Sequence, residues 1–77
     1  MNSNIVHQYF KKELEGAKIL VKVDPIFFKG QEIQIMANGE VEIQDREFDE
    51  QIFDDLAEDG FDVCSPLEFN LYLHGLV

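Results

Sequence analysis

Seventy-seven residues allow one small domain and no more, and an apolar fraction of 45% argues for a packed core rather than disorder. A formal charge of −10 disfavours direct nucleic-acid binding, because phosphate would be repelled. Cys64 is the single cysteine and excludes an internal disulfide; with no leader-like start and no long apolar run, the expectation is a soluble cytoplasmic protein that does not enter a membrane.

Asn4 to Glu15 reads as a helix. Ile5, Val6, Tyr9, Phe10 and Leu14 recur at helical spacing, Ser3 or Asn4 suits the start, and Gly16 suits the position just past the end. Lys11 and Lys12 would then lie in the last turns, where the helix dipole favours cations.

Ala17 to Val23 reads as a strand. Ile19, Val21 and Val23 alternate with Lys18 and Lys22, and only Leu20 breaks the pattern, so it calls for cover from a helix or a partner. Asp24-Pro25 ends the strand because proline brings no donor to a ladder. The same pair can cap one helical turn through Ile26-Phe27-Phe28, closed by Gly30. Three consecutive large apolar residues cannot all face inward on a regular element. Either they plug an end of the sheet, or Phe27 or Phe28 is exposed as an anchor for a partner. Leu76-Val77 poses the same question.

Residues 31–48 carry a hairpin around Asn38-Gly39. A two-residue loop would set Ile35 against Glu42 and Ile33 against Gln44, mixing isoleucine with polar side chains on one face. A three-residue loop, Ala37-Asn38-Gly39, instead sets Ile35 against Val41 and Ile33 against Ile43. It leaves Glu32, Gln34, Met36, Glu40, Glu42 and Gln44 on a wet face, and this register is preferred.

Glu47 to Asp59 follows as a helix, with Phe48, Ile52, Phe53, Leu56 and Ala57 at helical spacing, Asp49 as cap and Gly60 as stop. Phe61 to Cys64 is a short extended connector. Ser65-Pro66-Leu67-Glu68 joins a capping box to proline at the first helical position, which decides for a helix ended by Gly75 over the strand-like alternation of residues 67–74. The expected fold is therefore a single α+β domain over residues 1–77. A three-stranded antiparallel β-meander packs against helices in the order α-β-β-β-α-α, burying Ile19, Val21, Ile33, Ile35, Val41 and Ile43. Phe10, Phe53, Leu56, Phe69 and Leu73 complete that core.

The charge is concentrated. Between Glu40 and Asp62 eleven acids stand against Arg46 alone, so this segment holds the whole net charge of −10, while the other five acids and five lysines cancel. Such a segment is first a solvated face that keeps a small domain soluble. Its functional readings are a surface for a basic partner protein or an imitation of nucleic-acid phosphates that occupies a nucleic-acid-binding protein. The residues expected to carry either are Glu40, Glu42, Asp54, Asp55, Glu58 and Asp59, with Phe27 or Phe28 as the apolar anchor.

Other chemistry finds little support. Placing Asp55, Asp59 and Gly60 on a calcium loop puts Ala57 at a ligand position and Pro66 where the bidentate glutamate belongs. Cys64, His7 and His74 lack the spacing of a tetrahedral metal site. Cys64 with either histidine is the only nucleophile–base pairing to weigh, and a thin core leaves little room for a pocket of ~300 Å³. No metal, cofactor or catalytic residue is therefore expected, and the chain reads as a non-catalytic interaction module. A core below ~80 residues rarely supplies more than about 3–5 kcal/mol, so a weak homodimer is one route to further burial.

Overall fold

A computed structural model describes residues 6–75. The elements are β1 (Gln8–Leu14), β2 (Ala17–Val23), β3 (Lys29–Ile35), β4 (Val41–Glu47), α1 (Ile52–Glu58), β5 (Asp62–Val63) and α2 (Pro66–Leu73). All strand pairings are antiparallel, in one five-stranded sheet of order β4-β3-β2-β1-β5. This corrects the expected three-stranded meander and its α-β-β-β-α-α order. Residues 8–14 form a strand where a helix was expected, and residues 62–63 add a fifth strand beside it. The cap at Ser3 or Asn4, Ile5 and the Leu76-Val77 pair lie outside the described residues.

The correction has a physical cause. Adjacent aromatics in β1 go to opposite faces: the Tyr9 ring lies 5.4 Å from Phe69 and the Phe10 ring 5.9 Å from Phe53. A strand covered on both sides need not alternate apolar with polar, so its spacing can imitate a helix. Glu15-Gly16 forms the turn into β2, with Leu14 opposite Ala17.

Adding β1 moves β2 from an edge to the centre of the sheet. Leu20 and Val21 are neighbours in sequence, yet both are buried, one on each face. On one face Leu20, Ile33, Cys64 and Phe69 form a cluster that α2 completes with Tyr72 and Leu73. On the other, Val21, Val23 and Leu56 pack with Phe10, Ile19, Ile52, Phe53 and Phe61 beneath α1. There are thus two half-cores, and Ile19 and Val21 do not share a face with Ile33. Leu20 stands opposite Ile33, and Ile19 opposite Gln34.

The hairpin has the three-residue loop that the alternation favours. Ile35 pairs with Val41 and Ile33 with Ile43. Met36 N donates to Glu40 O at 2.8 Å, and Gly39 adopts φ +92°. No atom would crowd a Cβ on Gly39, so the cost of Gly39→Ala is purely conformational. The expected loss is about 1 kcal/mol, read as a lower urea midpoint at unchanged slope.

Val41 and Ile43 are not buried as expected; they remain 45% and 44% exposed. Helix α2 packs on β1 and β2 and on Ile33 and Ile35 of β3, one strand short of β4. Helix α1 begins five residues later than expected because residues 41–47 stay in β4. Asp49 instead closes the turn before it, accepting from Gln51 N at 2.9 Å. Helix α2 starts where expected, with half of the capping box: Ser65 Oγ accepts from Glu68 N at 3.1 Å and Pro66 lies in the first turn, while the Glu68 carboxylate turns to Lys11 and Lys18.

Candidate interaction surface

The register sorts the charges. Paired residues share a face, so Lys11, Lys18, Lys22 and Lys29, four of the five lysines, project on the α2 side of the sheet. The hairpin residues Glu32, Glu40 and Glu42 project on the α1 side, and α1 adds exposed Asp54, Asp55, Glu58 and Asp59. Of the acidic segment, Asp45, Glu47 and Asp62 fall on the α2 side.

The cations are largely engaged within the molecule. Glu68, on α2, accepts from Lys11 Nζ at 3.1 Å and from Lys18 Nζ at 3.2 Å, tying the helix to two strands. Lys18 also lies over the Tyr72 ring, and Lys12 over Phe61. Arg46 pairs with Glu32 and covers Phe48. None of Glu40, Glu42, Asp54, Asp55, Glu58 and Asp59 forms an ion pair among the described residues. Glu40 does bond Asn38, through its carboxylate and its backbone N–H.

The β2–β3 loop separates the two phenylalanines. Asp24 is buried, and its Oδ1 accepts from Ile26 N at 2.8 Å and Phe27 N at 3.1 Å. Its carbonyl accepts from Phe28 N at 2.9 Å, which holds Phe28 in a left-handed backbone at φ +57°. That conformation is strained for a bulky residue and persists because both ends of Phe28 are tied. Phe28 O accepts from Phe48 N at 2.7 Å, and its ring lies 6.5 Å from Phe53. Phe28 is thus half-buried, whereas Ile26 and Phe27 are 60% and 64% exposed at the loop tip.

A groove of about 410 Å³ opens at this end of the sheet, lined by His7, Lys22, Asp24, Lys29, Gln31, Asp45 and Glu47 among others. A second, of about 470 Å³, lies at the opposite end beside Leu14, Lys18, Ile35 and Tyr72. Both exceed the room expected of so small a domain. The first groove mixes cations and anions, with Gln31 Nε2 donating to Asp45 Oδ1 at 3.4 Å.

Cys64 Sγ lies 3.4 Å from Ser65 O and 3.7 Å from Glu68 Oε1. Burial, then the charge of Glu68, pushes its thiol above the ordinary range, the opposite of what an activated nucleophile needs. Among the described residues, no three of His, Cys, Asp and Glu converge as a metal-ligand set. Nor is any helix there long and apolar enough to cross a membrane.

Hydrogen bonds from Lys11, then from Lys18, hold the Glu68 carboxyl below the usual range against the opposing effect of burial. The folded form therefore binds fewer protons than the unfolded chain. The stability this contributes is present above the ordinary carboxylate pKa of about 4.3 and is lost as pH falls through the lower folded value. Glu68→Gln is expected to flatten the stability curve below about pH 4.5. Urea titrations at stepped pH check this, and a curve parallel to the parent's would refute the linkage.

Sequence reasoning located the acids but did not single out Val41, Ile43, Asp45 and Glu47 as one exposed row of the outer strand. The signal was present: alternate residues of the last hairpin strand, with no strand predicted beyond it. Comparison with protein families, curated proteins and solved structures finds no match for this chain.

Proposed function

We propose that this chain is a small, non-catalytic, cytoplasmic interaction module whose acidic surface docks a basic partner protein. The supporting observation is the commitment of its own cations. Lys11, Lys18 and Arg46 are bound to Glu68 and Glu32, while the six carboxylates of Glu40, Glu42, Asp54, Asp55, Glu58 and Asp59 are exposed and have no ion-pair partner among the described residues. Such a field speeds encounter with a positive surface and repels negative ones. The exposed ring of Phe27, at the tip of the β2–β3 loop, offers an apolar contact next to Phe28, whose ring faces Phe53 of α1.

The test is a pull-down from native extract, with and without nuclease, repeated with a variant carrying Glu40→Gln, Glu42→Gln, Asp54→Asn, Asp55→Asn, Glu58→Gln and Asp59→Asn. A basic protein should be retained by the parent and largely lost by the variant, and the purified pair should reproduce the binding. Release of a nucleic-acid-binding protein by added DNA or RNA would favour imitation of nucleic acid instead. Equal retention by parent and variant would reject both readings.

A further inference from the structure

The outer strand of the sheet is unpaired, and its chemistry specifies what could pair with it. Met36 N donates to Glu40 O at one end of the β3–β4 ladder, and Phe48 N donates to Phe28 O at the other. In an antiparallel ladder, bonded and non-bonded residue pairs alternate. Counting between those two bonds, Glu42, Gln44 and Arg46 turn their backbone groups toward β3. The N–H and C=O groups of Val41, Ile43, Asp45 and Glu47 then point to the free edge, where no other described strand pairs. All seven residues of β4 are exposed.

We infer that β4 is the docking edge for an extended basic segment, which adds as a sixth, antiparallel strand. This rests on the basic-partner reading and supplies its mode. Backbone bonds give such an addition its hold, and alternate side chains give it specificity. Opposite Val41 and Ile43 the incoming strand meets half-exposed apolar side chains beside buried Ile33. Opposite Glu40 and Glu42 on one face, and Asp45 and Glu47 on the other, it meets carboxylates. Arg46 is already engaged by Glu32 and does not repel it. The ligand is therefore an alternating segment: apolar at two adjacent same-face positions, basic at the rest that face carboxylate.

Charges on an edge strand normally keep other strands away. Here they exclude a second copy, because two β4 edges would bring together Glu40, Glu42, Asp45 and Glu47 from each chain. A cationic strand is the partner for which the same charges attract.

The test uses the whole chain and the capped peptide Lys-Thr-Lys-Thr-Val-Lys-Val-Lys, written to run antiparallel from Glu47 to Glu40. Two N-methylated forms carry the same charge. One is methylated on the valine opposite Ile43 and the lysine opposite Asp45, whose N–H groups would face β4. The other is methylated on the two residues flanking that valine, whose N–H groups would face away. The first should bind about tenfold or more weakly than the parent peptide, and the second within about threefold of it. Equal affinities for all three would overturn strand addition while leaving a basic partner standing. Failure of the parent peptide to bind would also overturn it, and the pull-down above would decide the wider reading separately.

Discussion

Replacing Phe69 by alanine is expected to leave most of the chain unfolded at 25 °C. Phe69 is fully buried, and it is the residue through which α2 enters the cluster of Leu20, Ile33 and Cys64. Its ring also packs against Tyr9, so it joins α2 to β1 as well as to the sheet centre. Truncating a buried phenylalanine costs about 3–5 kcal/mol through lost transfer energy and the cavity left behind. A core in a domain of this length supplies a similar amount in total. Phe69→Leu keeps most of the volume and should fold with a loss below about 1.5 kcal/mol. Far-UV circular dichroism and urea titration of the two variants check this. An alanine variant that unfolds within a few tenths of a molar of the parent's urea midpoint would show that α2 is not needed for the fold.

Gly30→Ala is the second substitution with a large expected effect, and its mechanism differs from that at Gly39. The backbone of Gly30 is not left-handed. The difficulty is space: a Cβ there would lie 1.7 Å from the carbonyl oxygen of Lys22 and 2.7 Å from its carbon. Both atoms belong to the main chain of the central strand, so no side-chain rotation relieves the clash. Strands β2 and β3 would have to part where Gly30 faces Val23, a fully buried residue. The expected cost is about 3 kcal/mol, at the upper end for overpacking, with a fall in Tm of roughly 12 °C or more. Calorimetry of Gly30→Ala beside Gly39→Ala tests the distinction. A loss at Gly30 no greater than that at Gly39 would mean that the two strands are not held so closely.

Local chemistry was legible wherever one face of an element is wet. The β3–β4 register followed from Ile33, Ile35, Val41 and Ile43 alternating with polar residues around Asn38-Gly39. The start of α2 followed from Ser65 and Pro66. Legibility failed where both faces are covered. Tyr9 and Phe10 serve different clusters, so β1 had no clean period; Leu20, by contrast, was read as calling for cover, and α2 supplies it on the opposite face. Burial of Val41 and Ile43 was overestimated because the reach of α2 across the sheet depends on tertiary packing that no local pattern encodes. For the candidate surface, counting found the acidic segment. Its division between faces required the register, and separating Phe27 from Phe28 required the bonds of the Asp24 carboxylate.

The doubly covered central strand has a consequence for how the chain finds its alignment. In a half-wet strand, sliding by one position throws every apolar side chain into water and is rejected at once. Ile19, Leu20 and Val21 offer no such alarm, since a one-step slip exchanges one greasy side for another. Proofreading of β2 must then come from outside that triplet: from Lys18 and Lys22, which a slip would turn beneath α1, and from the Glu15-Gly16 reversal and the Asp24 clasp. Lesions at those two bends should yield misaligned, slowly correcting species during refolding rather than a simple shift in equilibrium.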